Sequence, residues 1–343
     1  MPNLTRRTML AGGSVLAAAS ALPASAQVSQ TRSLAGKTFL VTGTSSGFGR
    51  IGALHYARLG AKVFATMRNL PRPDAETLRQ EAAREGLDLH ILELDVLSEE
   101  HVANAVSDAQ RRAGGALDVV VNNAGIVIGG PVEAHDIEAA RLAFETNVFG
   151  VQRVTRAALP AMRARKAGLI VNVSSQQGRV IMPGGGLYSP TKFALEAMSE
   201  QLAYELAPHG VDVAIIQPGG FPTKVGANRA RYQNALAARV PERHADGYPE
   251  MMAALRRIPQ PLPPPQARQQ ISAEAASYLS ADPLMVPQAI AEIAAMPAGH
   301  RPLRRAVHPG NKPQLEINRV SAESQLAWLG SGPYGVWVKA VHN

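Results

Sequence analysis

The sequence of 343 residues contains no cysteine. Disulfide bridges, thiolate nucleophiles and metal sites with cysteine ligands are therefore excluded. The histidines also lack the spacing of metal ligands, so no metal site is predicted. Runs of lysine and basic stripes are absent too. The formal net charge of +8 therefore bears on solubility rather than on a nucleic-acid partner, and none is expected.

Internal repeats and long low-complexity tracts are likewise missing. The composition, with 46% hydrophobic and 18% charged residues, is ordinary for a globular protein. A chain of this length can build one large α/β domain with a sizeable core, or two small ones.

The first 26 residues have the layout of an export signal. Arg6 and Arg7 precede a run of Ala, Gly, Leu and Val that ends in "ASA" before Gln27. This order is typical of a twin-arginine signal peptide over residues 1–26. The alternative is a membrane anchor, but the run is less apolar than the roughly 20 residues of a spanning helix require. We expect export to the periplasm without a stable membrane anchor, or a cytoplasmic protein if the signal is not used.

Short apolar runs alternate with helical patterns from Lys37 onward. Such runs, without strict polar alternation, are typical of parallel strands buried on both faces. The sequence therefore predicts an α/β fold: a single Rossmann-type, doubly wound parallel sheet with helices on both faces. The predicted strands lie in "KTFLVTG", "AKVFATM", "LHILELD", "LDVVVNNAG", "AGLIVNVSS", "GVDVAIIQPGG" and "LRRAVH".

The predicted domain covers residues 35–310. Residues 219–266 contain a Pro-rich stretch and no clear strand, which indicates an inserted cover over the strand ends. Residues 311–343 form a C-terminal tail. Three aromatic residues of the tail are expected to pack on the body or on a partner subunit: Trp328, Tyr334 and Trp337.

A glycine-rich segment, "TGTSSGFG", joins the first strand to the first helix. Glycines allow a tight turn and a close approach of the backbone to a pyrophosphate, and the helix N-terminus adds free N–H groups. A nucleoside triphosphatase would need Gly-Lys-Ser/Thr at this point, but Gly49 and Arg50 stand there. The segment predicts a dinucleotide site, with a purely structural turn as the alternative.

The end of the second strand carries no acidic residue. A carboxylate there would bind the adenosine ribose and repel a 2′-phosphate, whereas this chain has Arg68. A guanidinium can pair with a phosphate through two hydrogen bonds. NADP is therefore the predicted cofactor, with NAD as the second choice, unless Arg68 is a solvated surface residue.

A phenol and an ammonium stand four residues apart in "YSPTK", at Tyr188 and Lys192. This spacing places them on one face of a helix. They could form an ordinary polar helix edge, or the lysine could lower the pKa of the phenol from about 10 towards that of a usable acid and base. Pro190 between them is tolerated only in the first turn, so the helix should begin close to Tyr188.

Together these motifs resemble the short-chain dehydrogenase/reductase family. The resemblance rests on "TGTSSGFG", "NNAG", "TNVFG", "NVSS", "YSPTK" and "PGG", which occur in order over about residues 35–310. "VFATMRN" and "PGGFPT" are most similar to the branch that acts on retinoids, steroids and other hydrophobic alcohols.

The resemblance implies a role for each matching position. Tyr188 would be the general acid and base, Lys192 would hold the nicotinamide ribose, and Ser175 would orient the substrate oxygen. Asn147 would hold a water in a proton relay. The implied cofactor contacts are Gly43, Ser45, Ser46, Gly47, Phe48, Gly49, Arg68, Asp95, Val96, Asn122, Ala124, Gly125, Tyr188, Lys192, Pro218, Gly219, Phe221 and Thr223.

The function expected from these residues is an NADP-dependent oxidoreductase. It would interconvert a hydrophobic secondary alcohol and a ketone, or an alcohol and an aldehyde, and would work as a homodimer or homotetramer. The alternative is a cofactor-binding redox sensor or scaffold without turnover, for which Tyr188 would not be needed. Phe221 and Met251 are predicted to belong to the cover over the substrate, with Val225, Met252 and Leu255; plain packing is the alternative for all five.

Overall fold

The computed structural model describes residues 33–237, 239, 241, 244, 247–256, 278 and 280–342. The predicted signal segment lies outside these residues, as does the Pro-rich part of the predicted cover.

Seven strands form one parallel sheet among the described residues, in the order β3-β2-β1-β4-β5-β6-β7. The chain adds β2 and β3 on one side of β1 and then β4 to β7 on its other side. This change in the order of strands makes the sheet doubly wound, as predicted. The strands are β1 (Thr38–Val41), β2 (Lys62–Met67), β3 (Leu89–Glu93), β4 (Val119–Asn122), β5 (Gly168–Val173), β6 (Val211–Pro218) and β7 (Arg304–Val307). Each lies inside one of the apolar runs identified in the sequence.

Helices follow the strands and cover the sheet. The first six are α1 (Gly47–Arg58), α2 (Pro73–Arg84), α3 (Glu99–Ala113), α4 (Ile137–Phe144), α5 (Gly150–Arg165) and α6 (Tyr188–Leu206). The others are α7 (Val225–Ala237), α8 (Pro249–Arg256), α9 (Met285–Ala295), α10 (Gln314–Leu329) and α11 (Gly335–His342). A π-helix over Glu145–Phe149 joins α4 to α5, and 3₁₀ turns occupy Gln176–Gly178 and Ala207–His209.

Two apolar clusters lie on opposite faces of the sheet. One contains buried residues of α1, α2 and α9, and the other contains buried residues of α3, α5 and α6. Strands with core on both sides read as continuous apolar runs, which explains why the sequence revealed them. The arrangement confirms the predicted single sheet with helices on both faces.

Local signals set the ends of the helices that matter for the site. The side chain of Ser98 accepts a hydrogen bond from the backbone N–H of His101 and caps α3, and Asp136 caps α4 in the same way. Helix α6 begins at Tyr188, so Pro190 lies in its first turn, as predicted.

The C-terminal helices α10 and α11 dock through residues other than the predicted aromatics. Val338 is buried, and the ring of His342 lies 2.8 Å from the hydroxyl of Tyr204 on α6. Trp328 is 81% exposed and Tyr334 is 57% exposed. These two rings do not pack on the body of the chain, because the helices turn smaller apolar side chains towards α6, and their packing on a partner subunit stays a prediction.

Candidate active site

The glycine segment between β1 and α1 is packed too closely for side chains. Gly43 has a φ of +71°, and a Cβ built on it would lie 2.8 Å from the Cα of Ala124. A Cβ on Gly49 would lie 2.4 Å from the carbonyl oxygen of Gly43. Both positions therefore require glycine, one for its backbone conformation and both for close approach.

The N-terminus of α1 offers donors to a ligand. Ser46 precedes the helix in an extended conformation, and its side chain makes no capping hydrogen bond. A Cβ on Gly47 would meet only Thr223, at 3.7 Å. The first-turn N–H groups thus face an open space between the glycine segment and the loop after β6. This cradle fits a pyrophosphate, which would accept from those groups.

Two polar residues that the sequence analysis did not single out brace this cradle. The hydroxyl of Thr42 accepts from the backbone N–H groups of Asn123 and Ala124, both at 3.0 Å. The Asn123 side chain donates to the carbonyl oxygen of Thr42 at 2.9 Å and to that of Gly43 at 3.2 Å. Their position inside the "TG" and "NNAG" motifs was the available signal.

Asn122 was expected to line the cofactor, but its side chain points elsewhere. It is buried and donates to the Thr155 hydroxyl at 3.0 Å and to the Asn172 side chain at 2.8 Å. Because consecutive residues of a strand point to opposite faces, Asn122 faces α5 while Asn123 faces the glycine segment. The amide therefore joins β4 to its neighbours, and the contact of Asn122 with the cofactor stays a prediction that would involve its backbone.

The four predicted catalytic residues gather beside this cradle. A Cβ on Gly125 would lie 3.2 Å from Asn147 Oδ1 and 3.9 Å from Lys192 Nζ, so the loop after β4 touches both side chains. Lys192 Nζ lies 5.7 Å from the centre of the Tyr188 ring. Ser175 makes a side-chain hydrogen bond with the phenol. All four stand at the carboxyl edge of the sheet, where doubly wound folds bind ligands.

Asn147 is held in the π-helix and is fully engaged as a donor. Its Nδ2 donates to the carbonyl oxygen of Ile126 at 2.9 Å and to the Thr191 hydroxyl at 3.0 Å. Its Oδ1 accepts from the Ile126 N–H at 2.9 Å. The Thr191 hydroxyl in turn donates to the carbonyl oxygen of Tyr188 at 2.7 Å. The amide therefore fixes the loop after β4 against the first turn of α6, and the water relay remains a prediction.

Burial sets the protonation of the lysine and the tyrosine. Lys192 is buried and donates to the carbonyl oxygen of Val173 at 2.8 Å, and desolvation lowers its pKa to about 8 against an opposing influence of Glu196. Desolvation raises the pKa of Tyr188 to about 12, opposed by the hydrogen bond from Ser175. Without a bound cofactor, the protein therefore raises the pKa of the Tyr188 phenol, whereas the sequence analysis predicted that Lys192 would lower it.

The end of β2 carries the predicted determinant of cofactor choice. Arg68 is half-buried and its Nη2 donates to the hydroxyl of Tyr232 on α7 at 3.2 Å. The nearby carboxylate of Asp74 is paired with Arg72 at 2.7 Å. Arg68 thus forms no ion pair among the described residues, and its role in cofactor choice stays a prediction.

Two of the predicted cofactor contacts lie after β3. Asp95 accepts from the backbone N–H of Leu97 at 3.1 Å. Val96 is buried, and a Cβ on Gly150 would lie 2.8 Å from the Cβ of Val96. The carboxylate is therefore held in a tight turn, and the valine side chain packs on the start of α5.

The segment after β6 crosses the strand ends. The N–H of Gly219 donates to the carbonyl oxygen of Val307 at 3.0 Å, so the sheet pairing continues just past Pro218. Phe221 is 2% exposed, and its ring packs against Phe48 at 5.4 Å between centroids and against His308. The expectation that Phe221 belongs to a substrate cover is therefore wrong.

The other predicted cover residues are only partly described. Val225 is 42% exposed at the start of α7, and Met251 is half-buried on α8. The side chains of Met252 and Leu255 lie outside the described part of the structure.

Comparison with known proteins defines the class to which this fold and site belong. The model of the short chain dehydrogenase family matches residues 37–234. The chain belongs to this family, and its resemblance to retinoid- and steroid-type members is supported by the relatives below.

The chain is similar to both curated relatives and solved structures. It is 41% identical over 191 residues to the uncharacterized oxidoreductase YusZ of Bacillus subtilis (strain 168), covering 55% of this chain and 66% of that one. It is 38% identical to retinol dehydrogenase 8 of Bos taurus, covering 55% of this chain and 60% of that one. The matches thus span less than two thirds of these relatives. A short-chain dehydrogenase from Streptomyces avermitilis superposes with a TM-score of 0.63 at 32% identity, covering 85% of this chain and 96% of that one.

Within the described part of the chain, no three His, Asp or Glu side chains are grouped as a metal site would need. No helix of that same part combines the length and the apolar character of a membrane span.

Proposed function

We propose that the protein is an NADP-dependent oxidoreductase that interconverts a hydrophobic secondary alcohol and a ketone, or an alcohol and an aldehyde. One observation supports this proposal above all. Four side chains lie close together beside the glycine cradle at the carboxyl edge of the sheet: Asn147, Ser175, Tyr188 and Lys192. A redox sensor or scaffold would have no use for the phenol in this place.

The cradle between Gly43, the first turn of α1 and Thr223 would hold the pyrophosphate of the dinucleotide. Lys192 would hold the nicotinamide ribose. The bound nicotinamide would supply the carbon that accepts or donates hydride, and its oxidised ring would add positive charge near Tyr188. In the overall reaction, alcohol and NADP⁺ give ketone, NADPH and a proton.

The chain's own residues manage the proton. On reduction, the Tyr188 hydroxyl gives its proton to the oxygen of the substrate carbonyl, and on oxidation the phenolate takes the hydroxyl proton back. The hydrogen bond with Ser175 lowers the pKa of the phenol and so favours the phenolate, and Ser175 would also orient the substrate oxygen. Asn147 and Thr191 keep the loop after β4 and the first turn of α6 in register, so that the phenol stays in reach of the cradle.

The preference for NADP rests on Arg68. A gluconate 5-dehydrogenase from Burkholderia cenocepacia, 30% identical with a TM-score of 0.54, was solved with NADP, and a reductase from Brucella melitensis with NAD, so family membership alone decides nothing. Arg68→Ala should weaken NADP binding by about 10- to 100-fold and leave NAD binding unchanged, because only NADP carries the 2′-phosphate. Arg79→Ala, which removes an exposed arginine of α2, is the matched control. Tighter binding of NAD than of NADP by the unaltered protein would refute the preference.

The apolar character of the substrate is proposed from the surface beside the tyrosine. Ile181 is 70% exposed and Val132 is 62% exposed, and Met182 lies beside them in the loop before α6. The loops that carry these residues pair through the bridge between Gly130 and Gly185. The names of curated relatives, retinol dehydrogenase and estradiol 17-beta-dehydrogenase, agree with such a substrate. A panel of aliphatic and polycyclic alcohols and ketones, assayed at the nicotinamide absorbance, tests this part.

We also propose that residues 1–26 direct export, and that the protein acts in the periplasm with its cofactor bound before translocation. The paired arginines and "ASA" before Gln27 support this proposal. N-terminal sequencing of the protein from the periplasmic fraction should start at or near Gln27, and an intact Met1 would contradict it.

A further inference from the structure

A half-buried arginine of α7 lies against the loop that follows β4. A Cβ built on Gly129 would fall 2.6 Å from Arg229 Nη2 and 2.9 Å from Arg229 Cζ. The guanidinium therefore occupies the space that a side chain at position 129 would fill. Glycine at this position lets the cation lie directly on the backbone of the loop.

This guanidinium has no acidic partner among the described residues. Its Nε is buried and makes no hydrogen bond. Burial lowers the pKa of Arg229, and no charged group of the described residues opposes that shift. A desolvated cation without a counter-charge is unfavourable, so an anion that reached it would be bound strongly.

The two described carboxylates that follow Gly129 along the chain are already engaged. Glu133 accepts from the Tyr248 hydroxyl and contacts His244 Nδ1 at 2.8 Å. Asp136 pairs with Arg239 at 2.8 Å and caps α4. These acids thus hold other parts of the segment after β6, and no carboxylate of the described residues is paired with Arg229.

The loop under Arg229 also touches the start of α6. Gly129 follows Ile128, whose carbonyl oxygen accepts from the N–H of Tyr188 at 3.2 Å and from that of Leu187 at 3.0 Å. Gly130 then pairs with Gly184 at 2.9 Å. The cation is therefore placed on the same loop that borders the phenol and the exposed apolar side chains described above.

We propose that Arg229 binds a carboxylate of the substrate, so that the substrates are hydrophobic oxo acids and the corresponding hydroxy acids. This inference rests on the proposed function and narrows its substrate class. The acid head would pair with the guanidinium, the hydrocarbon would lie on the apolar loop surface, and the carbonyl would stand at Tyr188. Arginine suits this task because its planar fork matches a carboxylate.

The test compares medium-chain oxo acids, whose ketone stands at increasing distance from the carboxylate, with their methyl esters. The protein without residues 1–26 should reduce at least one oxo acid with a higher kcat/KM than the methyl ester of that acid. Arg229→Met should lower kcat/KM for that acid by about 10- to 100-fold and leave the ester unchanged. Arg229→Lys should recover part of the loss. Arg141→Met, which removes an exposed arginine of α4, is the charge-matched control and should behave as the unaltered protein.

A second variant keeps the guanidinium of Arg229 but displaces it from its position on the loop. Gly129→Ala places a methyl group where the guanidinium lies, so it should reduce the preference for the acid while the ester rate is kept. Equal rates for acid and ester, or equal losses for both in Arg229→Met, would overturn the inference and leave the oxidoreductase proposal standing.

A binding measurement with ligands that cannot react distinguishes failure of this inference from failure of the proposed function. Calorimetric titration of the NADP-loaded protein uses a saturated carboxylic acid and its methyl ester, neither of which can be reduced at a ketone. Tighter binding of the acid that is lost in Arg229→Met supports the inference even if no ketone is turned over. Binding without a dependence on the carboxylate overturns it.

Discussion

The most quantitative prediction concerns a buried ion cluster on the back of α6. Arg304 of β7 donates to Glu196 at 2.8 Å and to Glu200 at 2.5 Å. The side chains of these three residues are 7%, 2% and 10% exposed, respectively. Glu196 stands one helical turn after Lys192 and opposes the lowering of the pKa of that lysine. The cluster thus joins the last strand to the helix that carries the proposed catalytic pair.

Arg304→Met should destabilise the protein by up to about 3–5 kcal/mol, because it removes the cation that is hydrogen-bonded to two buried carboxylates. Glu196 would keep the donor Gln217 at 3.0 Å, and Glu200 would keep the Tyr204 hydroxyl at 2.7 Å and His342 Nε2 at 3.3 Å. The guanidinium of Arg179 also acts electrostatically on both carboxylates, so we expect the upper part of the range only if both carboxylates stay ionised. The loss would be a large fraction of the roughly 5–15 kcal/mol that stabilises a typical protein.

The assay is urea denaturation followed by circular dichroism, with the neighbouring arginine as control. Arg305 is 44% exposed and pairs with Glu292, which is 57% exposed, so Arg305→Met should cost at most about 1 kcal/mol. Adding Glu196→Gln to Arg304→Met removes one unpaired charge and should restore part of the stability. Similar losses for Arg304→Met and Arg305→Met, or no recovery in the double variant, would refute the reasoning.

Two further predictions concern the site itself. Gly49→Ala should weaken dinucleotide binding at least about 10-fold in a fluorescence titration, because its Cβ would lie 2.4 Å from a backbone oxygen. Gly332→Ala is the control and should bind the dinucleotide normally, since its nearest neighbour is 3.6 Å away. Equal affinities of the two variants would count against the cradle. Ser175→Ala removes the hydrogen bond that lowers the pKa of Tyr188, so the pKa of the phenol should rise. Because alcohol oxidation uses the phenolate, the rise of its kcat/KM with pH should move to higher pH, and an unmoved profile would exclude Ser175 as a partner of the phenol.

The sequence predicted those features that depend on local pattern. Strands buried on both faces have continuous apolar runs, so the central strands were placed, and the two edge strands β3 and β7 were placed from weaker patterns. Pro190 located the start of α6, because proline is tolerated only in a first turn. The glycines were recognisable because they end a strand and open a helix.

Features that depend on packing were missed. Whether Asn122 or Asn123 faces the cradle depends on strand register, and whether Phe221 covers a substrate or fills the core depends on what lies beneath it. The upward shift in the pKa of Tyr188 comes from burial, which a spacing of four residues does not reveal. Arg229 belongs to no motif, and only the fold places it on Gly129.

Transfer of deuterium from reduced cofactor to substrate tests the central claim most directly. Purified protein is given NADPH deuterated at the reactive carbon together with a hydrophobic ketone, and the product is analysed by mass spectrometry. The account predicts an alcohol that carries one deuterium on the former carbonyl carbon, and a Tyr188→Phe protein that still binds NADPH but forms almost none of it. Two results would contradict the account. One is undiminished formation of labelled alcohol by Tyr188→Phe. The other is a protein that binds the cofactor but gives no labelled alcohol from any ketone tested.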